Sequence, residues 1–99
     1  MEPQHLRTLA RARSLVAALA DGAQTVEASS GYERVLIELD RVHGDESPAL
    51  DTRGLSTDRG VLLAEATSTI EELAEHGVDA LDIELVLALL TDAHFLDVN

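Results

Sequence analysis

Residues 78–96 read Val-Asp-Ala-Leu-Asp-Ile-Glu-Leu-Val-Leu-Ala-Leu-Leu-Thr-Asp-Ala-His-Phe-Leu, and between Ile83 and Leu90 the only polar residue is Glu84. A helix lying on a protein surface shows polar side chains at every second or third position. This run does not, so it predicts a helix wrapped by neighbours on most sides, at the centre of the core. Asp79 is placed to cap its start, and Gly77 closes the helix before it.

Outward from that run, Leu63, Ala66, Ile70 and Leu73, supported by Leu62 and Thr69, give the buried stripe of the preceding helix. Ser56 or Thr57 caps it, with Asp58 favourably charged in its first turn. The turn between these two helices is so short that they should form an antiparallel hairpin. At the other end of the chain, Pro3 suits a first helical turn. Leu6, Leu9, Ala12, Val16 and Leu19 then recur at spacings of three and four, with Arg7, Arg11, Ser14 and Ala18 on the opposite face. That helix stops at Asp21-Gly22, where glycine accepts a left-handed conformation without steric cost.

The middle of the chain is less regular. Ser30 and Glu33 have the form of a capping box, opening a helix that turns Tyr32, Val35, Leu36, Leu39 and Val42 inward and ends at Gly44. Residues 24–39 also fit a strand pair around a Ser-Ser-Gly turn, and the helix is the preferred reading. Gly44–Ser56 is the longest non-periodic stretch, expected to be pinned by Leu50 and Leu55. The apolar tail with His94, Phe95, Leu96 and Val98 should fold back on the bundle. The expected architecture is one all-α domain over residues 1–99, a small antiparallel bundle of four helices at about 3–21, 30–43, 57–76 and 79–94.

Composition narrows the function. Nineteen Asp and Glu face seven Arg and no lysine, for a net charge of −12. Affinity for nucleic acid comes from clustered cations that release counterions, so nucleic acid is excluded as a partner, and anionic membrane surfaces are disfavoured by the same field. A basic protein partner is favoured. There is no cysteine, hence no disulfide framework, thiolate nucleophile or thiolate metal ligand. The early arginines break any secretory signal, and no apolar run approaches the ~20 residues of a membrane span. A cytoplasmic protein is expected.

Without lysine there is no Schiff base and no phosphate-loop lysine, and no Gly-rich nucleotide pattern is present. Gly54-Leu55-Ser56-Thr57-Asp58 approaches a nucleophile elbow, but Asp58 stands where the second glycine belongs. Asp40 with His43, and Glu72 with His76, each share a helix face, as carboxylate and imidazole do in di-metal bundles. The first pair has Asp in place of Glu and the second has the wrong spacing. These four residues are therefore candidate ligands only, and no metal or other cofactor is expected.

Asp79-Ala80-Leu81-Asp82-Ile83-Glu84-Leu85-Val86 resembles the acidic helix that follows the pantetheine-bearing serine of acyl carrier proteins. Ala80 occupies the serine's place, so the resemblance implies no attachment site. A more pointed departure from helix rules is Glu71, Glu72 and Glu75 in the last turns of the third helix, where each anion opposes the macrodipole by ~0.3–1 kcal/mol. Arg7, Arg11 and Arg13 of the first helix neutralise them, or they form a docking patch for a basic partner, or they are simply solvated.

The function expected is a non-enzymatic acidic interaction module of the inhibitor, immunity or adaptor type. Its partner-binding residues are Glu71, Glu72 and Glu75. A homodimer is expected through Ile83, Val86, Leu87 and Leu90, because three helices cannot cover a seam that apolar. The alternative is a homo-oligomeric ligand- or metal-binding bundle with enzymatic use of His and Asp/Glu.

Overall fold

The computed structural model describes residues 2–44 and 48–98, of Val98 the backbone alone, so part of the expected Gly44–Ser56 loop lies outside the described residues. Four helices account for most of the chain: α1 (Pro3–Asp21), α2 (Val26–Val42), α3 (Arg59–Glu72) and α4 (Ala80–Val98), with a 3-10 turn (Leu73–His76) continuing α3. There is no strand among the described residues.

Each helix starts where its free amides are satisfied or dispensed with. Pro3 removes one at the start of α1. Asp58 accepts from the amides of Gly60 (2.8 Å) and Val61 (3.2 Å), and Asp79 from that of Leu81 (2.8 Å). In α2 the cap is Thr25, accepting from the Ala28 amide at 3.0 Å, so Ser30 and Glu33 lie inside the helix and do not open it. The earlier start is driven by packing, because the added turn buries Ala28 completely. It also brings Gly31 against Ala93 of α4, where a Cβ on Gly31 would sit 2.9 Å from the Ala93 Cβ.

The centre of the molecule is α1, not α4. Leu9, Ala12, Leu15, Val16 and Leu19 are all at most 1% exposed, and α2 and α3 both pack extensively on this helix. Even Ser14 and Thr8 are buried there. Their hydroxyls escape the penalty of burial: Ser14 Oγ accepts from the Asp51 amide at 2.9 Å, and Thr8 donates to the Gln4 carbonyl at 3.0 Å. The segment after Pro48 is thus held on α1 by polar contacts, Arg13 reaching the Pro48 carbonyl, and by half-buried Leu55, while Leu50 is exposed. α4 packs chiefly on α2 and only lightly on α3, so the short link between α3 and α4 does not make them a closely packed pair.

One buried network ties the far end together. Asp97 is 5% exposed, and its Oδ1 accepts from the Gln24 amide at 2.9 Å. Oδ2 accepts from the Tyr32 hydroxyl (3.1 Å) and from Arg59 Nε (3.1 Å) and Nη2 (2.6 Å). Arg59 Nη2 also donates to the Leu19 carbonyl at 2.8 Å. All four helices meet in these contacts. Burial pushes the Asp97 carboxyl up, but the Gln24 amide, Arg59 and Tyr32 outweigh it and hold the carboxyl below its ordinary value. Burial, followed by the neighbouring Asp97 charge, pushes the Tyr32 hydroxyl up to about 12.

The same network explains Gly22. Its φ is −95°, outside the left-handed region expected of a terminating glycine. A Cβ here would crowd the end of the Arg59 side chain, so a larger residue would displace the guanidinium. The expectation that the chain's apolar tail folds back is also corrected: α4 runs straight on to Val98, leaving Phe95 (65%) and Leu96 (43%) exposed while Asp97 turns inward. No helix among the described residues is long and apolar enough to cross a membrane.

Candidate functional site

The acidic end of α3 is shaped by its own termination. Leu73 is fully buried, which draws the chain into the 3-10 turn. Gly77, at φ +92°, then lets it leave. Amides of Gly77 and Val78 close on the carbonyls of Ala74 and Leu73. Glu71, Glu72 and Glu75 remain on the outside, all exposed. Two adjacent grooves of about 300 Å³ each share Glu72 and Glu75, one completed by Ser68 and Glu71, the other by Gln4, Arg7, Thr8 and His76.

Two of the arginines of α1 are engaged away from this cluster. Arg11 pairs with Glu65 at 2.6 Å and Arg13 with Asp40 at 2.9 Å. Among the described residues no ion pair involves Glu71, Glu72, Glu75 or Arg7. Among the described residues, the Thr8 hydroxyl lies 3.3 Å from Glu72 Oε2. Arg7 and Arg11 also line a groove of about 360 Å³ with Arg53, Asp51, Leu55 and Glu72.

Beside the acidic grooves, three imidazoles from three elements meet. His5 stands in the first turn of α1, His43 just past the end of α2, and His76 at the end of the 3-10 turn. His5 Nε2 and His43 Nε2 face each other at 2.9 Å, and His43 Nδ1 lies 2.7 Å from the Leu39 carbonyl. The carbonyl can only accept, so Nδ1 of His43 carries the hydrogen and its Nε2 is the acceptor when the ring is neutral. The His5 and His76 rings stack with centroids 5.2 Å apart, and His76 Nε2 lies 3.3 Å from the Thr8 hydroxyl. Burial, then His43 and His76, push His5 below the ordinary histidine value, with Glu2 opposing.

The four candidate metal ligands are dispersed. Asp40 is held by Arg13, while His43 meets His5, and Glu72 and His76 share only the Thr8 hydroxyl. Among the described residues there is no group of three or more ligating side chains arranged to hold a metal ion. Of the residues expected at a dimer interface, Ile83, Val86 and Leu90 are covered by the chain's own core and Leu87 is half-buried. The apolar surface that α4 leaves open is a different set: Leu81 (75% exposed), Leu85 (45%), Phe95 and Leu96.

Sequence reading did not join His5, which has no periodic relation to His43 or His76, to the other two imidazoles, and it missed Asp97, which sits among Phe95, Leu96 and Val98. Neither carries a local signal. Only the packing of α1 between α2 and α3 brings His5 to the other two rings. Comparison with known protein families, curated proteins and solved structures finds no match to this chain.

Proposed function

We propose that the chain is a non-enzymatic, cytoplasmic interaction module that binds a basic protein surface through Glu71, Glu72 and Glu75, as an inhibitor, immunity protein or regulatory adaptor would. The observation that carries this reading is a cluster of three exposed carboxylates without an ion-pair partner among the described residues, while Arg11 and Arg13 are committed to Glu65 and Asp40. Local stability does not favour such a cluster at a helix C-terminus. A partner that supplies cations would compensate it, and a net charge of −12 would speed the encounter at low salt.

Charge reversal tests the reading. The double variant Glu71→Lys/Glu72→Lys should leave thermal stability unchanged or raise it by about 1 kcal/mol, because cations suit this helix end. It should also abolish capture of basic proteins from native lysate, followed by mass spectrometry. A marked loss of stability, or an unchanged set of captured proteins, would sink the proposal.

Self-association through α4 is the second part of the proposal, favoured by the exposure of Leu81 and Leu85 one helical turn apart. Sedimentation equilibrium at micromolar concentration should give a dimer for the parent chain and a monomer for Leu81→Glu/Leu85→Glu. A monomeric parent removes this part and leaves the docking reading untouched.

A further inference from the structure

We propose that His5, His43 and His76 form a proton-operated latch on the first turn of α1. The latch is closed while the facing nitrogens of His5 and His43 share one hydrogen, and it opens when both rings are charged.

The chemistry of the 2.9 Å contact sets this limit. An imidazole nitrogen accepts a hydrogen bond only through a bare lone pair, so a contact between two Nε2 atoms needs one of them unprotonated. With His43 Nδ1 tied to the Leu39 carbonyl, its Nε2 supplies that lone pair and His5 donates. One added proton is accommodated, because either ring can be the charged donor to the other. A second proton places two N–H groups head to head at hydrogen-bond distance, and the contact becomes a repulsion.

Position decides which element gives way. His5 lies at the positive end of α1, where the helix dipole opposes an imidazolium, whereas His43 and His76 lie at C-terminal ends. His76 is stacked on His5, so its charge also opposes a charge on His5. Of the anions nearby, Glu2 favours the charged form of His5, Glu72 and Glu75 flank His76 in the shared groove, and Asp40, one turn before His43, is engaged by Arg13. α4 supplies none of the charges acting on His5. The first turn of α1 has no side-chain cap, and beyond residue 6 the helix is held by the core. The turn carrying His5 is therefore the piece that detaches.

The direction follows from linkage. A histidine whose proton affinity is lower in the fold than in the free chain leaves stability intact above about 6.5, and that stability is lost as pH falls through the folded value. Amide hydrogen exchange by NMR, in the presence of a chelator, reads the latch directly. Protection factors already divide out the intrinsic pH dependence of exchange. Between pH 6.5 and 5, protection of the Leu6, Arg7 and Thr8 amides should fall, by up to tenfold per pH unit, the mark of the one proton that the closed contact cannot hold. Amides of Leu15 and Val16 should not follow. In His5→Gln the fall should be lost, and in His76→Gln, which removes the stacked ring, it should become shallower. Both positions are only half-buried, so these variants fold. First-turn protection that ignores pH overturns the latch. So does a decline shared equally by all four helices, or one unchanged in both variants.

Discussion

Replacing Asp97 with alanine is expected to destabilise the protein by about 3 kcal/mol or more, the cost of leaving one partner of a buried ion pair uncompensated. The substitution strands the Arg59 guanidinium, the Tyr32 hydroxyl and the Gln24 amide together. Arg59 is 30% exposed and recovers some hydration, which keeps the loss toward the lower end of the range. For a domain of this size the midpoint of thermal unfolding, followed by circular dichroism, should drop by about 12–25 °C. Asp97→Asn keeps one oxygen for the amide or for Arg59 but not for both, and should lose less. The native carboxyl lies below its ordinary value, so its contribution is present above about pH 4 and is lost as pH falls through the folded value. Asp97→Asn should abolish that part of the acid dependence. A loss under about 1 kcal/mol for Asp97→Ala would show that water replaces the carboxylate at little cost.

The second large effect lies where α2 and α4 come closest. Leucine at position 31 should cost about 3 kcal/mol, because even the Cβ would stand 2.9 Å from the Ala93 Cβ and 3.2 Å from its Cα. The obstruction is backbone and a methyl group, so no flexible side chain can swing aside. Gly31→Ala sets two effects against each other: a gain of about 1 kcal/mol in helix propensity and an overpacking loss of about 1–3 kcal/mol. The net change should be destabilising. Adding Ala93→Gly should recover part of it, so the double variant loses less than the two single losses combined. Additive losses, measured by urea unfolding, would mean that the two helices move apart freely.

The elements written in local chemistry were legible from the chain. Pro3, Asp79 and Gly77 mark helix ends in the sequence and do so in the structure. What the sequence concealed was neighbourhood. α4 is the most apolar helix and looks central, yet it meets mainly α2, and its Leu81 and Leu85 face solvent. α1 looks half-polar, yet Ser14 and Thr8 are buried because each hydroxyl finds a backbone partner. Thr25 and Ser30 are comparable as helix caps, and the choice between them was made by the burial of Ala28. At the acidic end, the three glutamates were evident as an oddity of charge. That Arg11 and Arg13 turn to Glu65 and Asp40 depends on helix rotation, which no spacing records.

The position of Asp97 also bears on how the molecule is made. Its partner Arg59 precedes it by 38 residues, which at ~5–20 residues per second is about 2–8 s of synthesis. During that interval α1 and α2 are already available and α3 is being completed, but the guanidinium beside Tyr32 has no counter-charge and the apolar face of α2 that receives α4 is bare. The arrival of the last turn of α4 supplies both at once. The buried network therefore closes in one late event, and the seconds before it are when a chaperone would find the most to hold.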